Sequence, residues 1–189
     1  MKLGVYVGSF NPVHKAHIKI GNYLLNNHLN KVLMMPTGAY WNKNDLPDIK
    51  DRINMLKFYE NEKIIVEDEK NDLPYTYLVM EHLSKKYKNA ELYLIMGADN
   101  IVNFDRWEKY KELLKYNMVI ISREYIDVKY YLDRLGKKDK YTVIDNLEDM
   151  DISSTMIRNL IKANKYEDTN KLIDKPVLEY IKKNNLYKN

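Results

Sequence analysis

Two histidines three positions apart are the side chains of this sequence whose type and spacing first suggest chemistry. His14 and His17 lie at the end of residues 8–17, behind a turn rich in Gly, Asn and Pro. Residues three apart at the start of a helix share a face, so both imidazoles can point at one ligand. The free N–H groups and positive dipole end of a helix start favour an anion, usually a phosphate. We therefore predict an anion site here, with ordinary turn histidines as the alternative.

The elements on either side of the histidines must position them. Residues 2–7 form a short β-rich apolar run, and Ile20 and Leu24 recur at helical spacing after the pair. The predicted order is therefore strand, turn and helix. The stretch is not a P-loop, because no Gly-Lys-Ser/Thr follows its first glycine, and the sequence contains no Gly-x-Gly-x-x-Gly fingerprint.

A second group of hydrogen-bond donors lies near the C-terminus. Ser153, Ser154 and Thr155 precede an apolar-periodic run, which is typical of a helix N-terminus. Arg158 lies four positions after Ser154 and shares its face. Hydroxyl, amide and guanidinium donors then converge where a triphosphate could lie. Plain capping of the helix is the alternative for the hydroxyl residues.

Alternating strands and helices are predicted between these two groups. The apolar runs predict strands at residues 31–36, 63–67, 91–96, 117–121 and 141–144, and helices at 49–59 and 75–87. This alternation favours an α/β fold with a Rossmann-like, doubly wound parallel sheet, whose ligands bind outside the carboxyl ends of the strands. We expect a single domain over residues 1–189, of which about 151–189 form a small C-terminal helical extension.

The end of the predicted strand at residues 91–96 carries three further candidates. Gly97 stands where the backbone must approach something closely. Asp99 can accept hydrogen bonds from ribose hydroxyls, or it can cap a helix at residues 100–104. Trp107 can stack on a planar ring, or it can belong to the core.

The histidine stretch resembles a known signature. Its pattern Gly-x-Phe-x-Pro-x-His-x-x-His is similar to the first motif of the nucleotidylyltransferase superfamily, and Ile-Ser-Ser-Thr-x-x-Arg at residues 152–158 is similar to the second. His14, where the phosphopantetheine branch usually carries Thr, resembles the nicotinate/nicotinamide mononucleotide branch. Gly-Ala-Asp at residues 97–99, Phe-x-x-Trp at 104–107 and the last helix resemble the nicotinate enzymes of that branch. Ala16 departs from the family, which usually has Gly there.

The resemblance implies adenylyl transfer from ATP to nicotinate mononucleotide, giving nicotinate adenine dinucleotide and pyrophosphate. It implies His14 and His17 at the phosphates, with His17 as the stabiliser of the transition state, and Lys43 and Arg158 on the β- and γ-phosphates. The further ATP contacts that it implies are Gly8, Ser9, Phe10, Ile152, Ser153, Ser154 and Thr155. The mononucleotide contacts that it implies are Thr76, Gly97, Asp99 and Trp107. Mg²⁺ would be bound mainly through the ATP phosphates and water, without metal ligands from the protein.

Three positions keep two interpretations each. Lys43 is a solvated charge or, as in the lysine-containing loop of the nicotinate branch, a phosphate ligand; the usual Pro-Pro-His-Lys of that loop is absent. Arg52, in a string that resembles Arg-x-x-Met-Leu of the same branch, either pairs locally or helps to order the site. Thr76 either caps the predicted helix at residues 75–87 or contacts the mononucleotide.

Composition narrows the class of protein. The sequence contains no cysteine, which excludes disulfides and thiol chemistry. Its net charge of +4 is spread along the chain, which favours a solvated surface over a nucleic-acid patch. Without a signal peptide or an apolar run of membrane-spanning length, we expect a cytoplasmic protein with no membrane or nucleic-acid partner. The sequence leaves self-association into a homo-oligomer open.

Other functions compete with nicotinate mononucleotide adenylylation. Within the superfamily, the acceptor could be nicotinamide mononucleotide or phosphopantetheine, and the sequence does not decide between the two pyridine nucleotides. Outside enzymes, a nucleotide-binding regulator could keep the same pocket without turnover, because binding and catalysis use the same groups. A third alternative is a nucleic-acid binder that uses the basic, tyrosine-rich surface.

Overall fold

Six parallel strands form one sheet in the computed structural model, which describes residues 1–37, 47–69, 73–122, 125–145, 147 and 151–188. The strands are β1 (Lys2–Gly8), β2 (Lys31–Pro36), β3 (Ile64–Val66), β4 (Glu91–Gly97), β5 (Asn117–Ile121) and β6 (Tyr141–Ile144). Their order across the sheet is β3-β2-β1-β4-β5-β6, and every neighbouring pair is parallel. The predicted Rossmann-like, doubly wound sheet is confirmed.

Helices connect the strands and follow the last one. In the described residues they are α1 (Lys15–Asn27), α2 (Ile49–Lys57), α3 (Thr76–Lys86), α4 (Ala98–Ile101), α5 (Tyr110–Leu113), α6 (Val128–Arg134), α7 (Ser154–Lys162), α8 (Tyr166–Leu172) and α9 (Lys175–Lys183), with a 3₁₀ turn at Phe104–Arg106. Helices α7 to α9 form the predicted C-terminal helical part. No helix in these ranges is long and apolar enough to cross a membrane.

The four central strands β1, β2, β4 and β5 bury side chains on both faces of the sheet. In β1, Val5 belongs to the core that α3 to α6 cover, while Tyr6 belongs to the core that α1, α2, α7 and α9 cover. This alternation follows from the period of two in a strand, and burial on both faces explains the nearly continuous apolar runs in the sequence. Both cores hold the sheet between two helical layers, which fixes where its strands end.

The chain changes direction across the sheet at β1. From β1 it winds outward through β2 to β3, and then returns to β4 on the other side of β1. Ligands of such sheets bind where the strand order reverses, outside the carboxyl ends. Gly8 and Gly97 end the two strands at this point, and α1 starts seven residues after Gly8, at Lys15.

The predicted strand bounds differ little from the observed ones. β2, β5 and β6 have the predicted bounds, whereas β1 and β4 extend by one residue to Gly8 and Gly97. β3 is shorter than predicted, with three residues, Ile64–Val66. The helix predicted at residues 49–59 ends at Lys57, because Phe58 no longer continues the helical hydrogen bonding.

Candidate active site

The two histidines lie at the start of α1 with their rings stacked. His14 is the N-cap residue, and its backbone N–H donates a hydrogen bond of 3.2 Å to Nδ1 of His17. The ring centroids are 3.6 Å apart with an interplanar angle of 25°. Because Nδ1 of His17 accepts a hydrogen bond, neutral His17 carries its proton on Nε2. The second nitrogen of His17 is therefore a hydrogen-bond donor.

The environment of the half-buried His17 side chain disfavours its protonated form. Removal from water, together with the neighbouring imidazole of His14, lowers the pKa of His17 well below its ordinary value of 6.5. The ring of Phe10 lies edge-on to His17, with centroids 5.0 Å apart, and supports the imidazole from the core. His17 is thus a fixed, uncharged donor at the helix start.

Gly8 and Phe10 depend on each other. Phe10 has a φ of 45°, a left-handed conformation unusual for a bulky residue, and its side chain is 2% exposed. A Cβ on Gly8 would lie 3.1 Å from Cζ of Phe10, so the buried ring would have to shift slightly to accept a side chain at this position. We predicted both residues as ATP contacts; with the ring of Phe10 in the core, any contact from Phe10 would come from its backbone.

The second motif contacts the first directly. The hydroxyl of Ser154 donates to the carbonyl of Pro12 at 3.0 Å, and Nη1 of Arg158 donates to the carbonyl of Asn11 at 3.0 Å. Nη2 of Arg158 also donates to Oγ1 of Thr155 at 3.2 Å. Two groups separated by 142 positions in the sequence are therefore adjacent in the fold.

The start of α7 uses its hydroxyl residues in two ways. Ser153 is the N-cap and accepts a hydrogen bond of 3.1 Å from the backbone N–H of Met156, so the capping prediction is confirmed for this residue. Ser154 and Thr155 instead bind the groups described above. Ile152 is half-buried and packs against the core, which fixes the entry to the helix.

The side of the site at the end of β4 differs from the prediction in one respect. Helix α4 begins at Ala98 behind Gly97 as N-cap, so the expectation that Asp99 caps a helix at residues 100–104 is wrong. Asp99 lies in the first turn instead. A Cβ on Gly97 would collide with its carboxylate, so the close approach that we predicted for Gly97 is to Asp99.

Trp107 and Thr76 lie on neighbouring elements of this side. Trp107 follows the 3₁₀ turn, is half-buried, and packs its ring against Phe104 with centroids 5.1 Å apart. Thr76 is the first residue of α3, whose N-cap is Tyr75, so the capping alternative for Thr76 is wrong. Lys43 lies outside the described residues.

Comparison with known proteins decides the family. The cytidylyltransferase-like family model matches residues 5–160. The "Probable nicotinate-nucleotide adenylyltransferase" of Flavobacterium johnsoniae is 34% identical over 100% of both chains. That of Fusobacterium nucleatum is 36% identical over 97% of this chain and 98% of the relative. The chain belongs to the nicotinate-nucleotide adenylyltransferase family.

A solved structure of this family has the same fold. The nicotinic acid mononucleotide adenylyltransferase of Plasmodium falciparum, complexed with NaAD, superposes with a TM-score of 0.82 at 25% identity, over 98% of this chain and 97% of that one. The same protein complexed with APC superposes with a TM-score of 0.80. The predicted membership of the nucleotidylyltransferase superfamily and of its nicotinate branch is confirmed.

Arg52, for which the sequence allowed two roles, has a definite position in the fold. Arg52 is 1% exposed, and its Nη1 donates to the carbonyls of Ser9 and Thr37, both at 2.7 Å. It therefore orders the backbone at the ends of β1 and β2, and its local contact is a longer hydrogen bond of 3.4 Å from Nε to the carbonyl of Pro47. The sequence signal for this role was an arginine inside the apolar stripe of a predicted helix.

Proposed function

We propose that this chain transfers the adenylyl group of ATP to nicotinate mononucleotide, forming nicotinate adenine dinucleotide and pyrophosphate. The observation that carries the proposal is the contact between the two motifs. Arg158 and Ser154 bind the carbonyls of Asn11 and Pro12 directly before the stacked histidines, so that cation, hydroxyl and imidazole donors surround one short loop. The relatives described as probable nicotinate-nucleotide adenylyltransferases, and a homologous structure that contains NaAD, support the choice of acceptor.

The chemistry requires no nucleophile from the protein. A phosphate oxygen of the mononucleotide attacks the α-phosphorus of ATP, a new P–O bond forms, and the bond to the β-phosphate oxygen breaks with departure of pyrophosphate. The protein holds the two substrates in line and stabilises the charge that develops on the α- and β-phosphates. The donors around residues 8–17 and 152–158 suit this task.

His17 is proposed as the donor to the α-phosphate. Because Nδ1 accepts the backbone N–H of His14, Nε2–H remains to bind a phosphate oxygen. A phosphate next to this ring raises the pKa of His17, since an anion favours the protonated form. The protonated imidazole would then stabilise the negative charge that develops around the α-phosphate in the transition state. His14 is proposed as a second contact to the phosphates.

Arg158 is proposed to hold the β- and γ-phosphates. Its guanidinium has five N–H donors, and two of its nitrogens already bind Asn11 and Thr155. The remaining donors can bind phosphate oxygens while the first two fix the plane of the group. Lys43 is proposed as a second cation for these phosphates.

The mononucleotide is proposed to lie at the ends of β4 and α3. Trp107 would stack on the pyridine ring with the part of its side chain that Phe104 leaves open. Asp99 would accept hydrogen bonds from the ribose hydroxyls, next to Gly97 and Thr76. This side of the site lies across the switch point from the proposed phosphate contacts.

Mg²⁺ enters this reaction with ATP, as part of the substrate. Among the described residues, no group of three or more His, Cys, Asp or Glu side chains could hold a metal ion. Phosphate oxygens and water are therefore proposed as its ligands, in agreement with the preference of Mg²⁺ for hydrated sites.

Pyrophosphate release tests the proposal. The purified protein is incubated with ATP and Mg²⁺ and with nicotinate mononucleotide, nicotinamide mononucleotide or phosphopantetheine as acceptor. We expect the fastest release with nicotinate mononucleotide, and dinucleotide formation confirms the product. Faster release with nicotinamide mononucleotide or phosphopantetheine would identify that compound as the acceptor instead. No release with any acceptor, from a protein that still binds ATP, would favour a nucleotide-binding regulator.

A further inference from the structure

Arg52 carries a positive charge into the core of the protein. It is the largest of the side chains that are almost fully buried, with 1% exposure. Moving a guanidinium out of water is costly unless its N–H groups are bound. Nη1 donates to Ser9 and Thr37, as described above, and Nε donates to the carbonyl of Pro47 at 3.4 Å. The N–H groups of Arg52 therefore have acceptors, but these acceptors are neutral carbonyls and do not compensate its positive charge.

No carboxylate in the described ranges forms an ion pair with Arg52. Burial is the main influence on its pKa and lowers it, while Tyr187 and Asp48 act in the opposite direction from a distance. A guanidinium remains charged under these conditions, because its ordinary pKa is so high. Ser9, at the start of the loop that leads to the histidines, therefore binds a buried, permanent cation.

The two carbonyls that Arg52 binds belong to the two strand ends that flank the proposed phosphate site. Ser9 directly follows β1, and Thr37 directly follows β2. The backbone N–H of Thr37 also donates to the carbonyl of Gly8 at 2.9 Å. Arg52 thus fixes the distance between the chain that leads to the histidines and the chain that leaves β2.

Two further carbonyls of this loop also accept hydrogen bonds from side chains. Arg158 binds the carbonyl of Asn11, and Ser154 binds that of Pro12. Together with Ser9, three carbonyls within four residues are engaged by side-chain donors. Carbonyl oxygens repel phosphates, so a loop whose carbonyls are bound within the protein is better prepared for an anion.

The C-terminal helix holds Arg52 in place through α2. The Tyr180 hydroxyl donates to the carboxylate of Asp51 at 2.8 Å, and the amide of Asn54 donates to the same hydroxyl at 2.9 Å. Tyr187, further along, has a buried hydroxyl and interacts electrostatically with both Arg158 and Arg52. The position of Arg52 is therefore fixed from two sides.

We propose that Arg52 is a positioning residue for ATP, which holds the backbone of residues 9–12 in the conformation that binds the triphosphate and adds a permanent cation behind it. This inference rests on the proposed function for the identity of the nucleotide. Arg52 acts through Ser9 and its neighbours, so its loss weakens the binding of ATP. It has no direct effect on the binding of the mononucleotide, which is proposed to bind at the ends of β4 and α3.

Two substitutions separate the charge from the hydrogen bonds. Arg52→Lys keeps the cation but is shorter and has no planar fork, and Arg52→Met removes both. Arg134→Met is the matched control, because Arg134 on α6 is an exposed arginine whose side chain is 62% accessible. The Kd of ATP with Mg²⁺ is measured by calorimetry, the KM of each substrate by pyrophosphate release, and the thermal midpoint without ligand.

We expect Arg52→Lys to raise the Kd and KM of ATP at least about tenfold, because small shifts of a binding loop have large effects on affinity. The KM of the mononucleotide should change less than twofold, and Arg134→Met should resemble the parent. Unchanged ATP binding in folded Arg52→Lys, or an equal rise in both KM values, would overturn the proposal. If Arg52→Met does not fold, Arg52→Lys alone decides. If the parent protein has no transferase activity, the proposed function fails, and the ATP titrations still test the role of Arg52.

Discussion

Arg158 on α7 donates a hydrogen bond of 3.0 Å to the carbonyl of Asn11, three residues before His14. This contact joins the C-terminal helical part to the loop between β1 and α1. In the proposed triphosphate site, the helix supplies a cation and a hydroxyl while the loop supplies the imidazoles. The contact brings together two motifs that are far apart in the sequence.

Substitution of Arg158 should therefore weaken the binding and turnover of ATP. Arg158→Lys keeps a positive charge but cannot bind Asn11, Thr155 and a phosphate at once, because it lacks the fork of five donors. We expect kcat/KM for ATP to fall by about a hundredfold or more, as when a preorganised donor to the transition state is lost. Steady-state pyrophosphate release measures the change, with Arg134→Lys as control. Wild-type kinetics of Arg158→Lys would exclude the guanidinium from the mechanism.

His17 should be needed for turnover rather than for the fold. His17→Asn removes the Nε2–H donor and keeps a short polar side chain at the helix start. We expect kcat to fall by about a hundredfold or more. Circular dichroism checks the fold, and His28→Asn, at the end of α1 and outside the site, is the matched control. A folded His17→Asn protein with unchanged kcat would remove His17 from the proposed mechanism.

Local sequence patterns were sufficient for much of the fold and of the site. The strand–turn–helix order around His14 follows from an apolar run, turn residues and helical spacing. The cap of α7 at Ser153 follows from hydroxyl residues before an apolar-periodic run. Both signals involve neighbours within a few positions, which is why they are visible in the sequence.

Contacts between distant residues were not predictable in this way. The partners of Arg52 are 43 and 15 positions away, and they are backbone carbonyls, which carry no sequence signal. At the end of β4, the helix begins at Ala98, two residues earlier than a cap at Asp99 would require, and the absence of a side chain at Gly97 leaves room for the Asp99 carboxylate. A short polar residue after a strand is compatible with a helix that starts before it or after it, so tertiary packing decides where the helix starts.

Substitution of Trp107 should change the KM of the acceptor, nicotinate mononucleotide, and leave the KM of ATP unchanged. Its ring packs against Phe104 on one side, and the proposed stack with the pyridine uses the other. We expect Trp107→Leu, which keeps an apolar side chain in the core, to raise the KM of nicotinate mononucleotide about two- to tenfold, since aromatic pairs contribute about 0.5–1.5 kcal/mol beyond burial. The KM of ATP, measured in the same assay, is the internal control. An equal change in both KM values would indicate a general loss of packing instead of a lost stack.

The lowered pKa of His17 should make the unfolding free energy depend on pH. Below about pH 6.5 the unfolded chain binds a proton at this histidine that the folded protein refuses, so stability is present above pH 6.5 and is lost as the pH falls. One such group contributes a slope of at most about 1.4 kcal/mol per pH unit. Urea unfolding between pH 5 and 7 should give a steeper fall for the parent and for His28→Asn than for His17→Asn. Identical slopes in all three proteins would show that His17 takes up its proton equally in the folded and unfolded states, contrary to its burial beside His14.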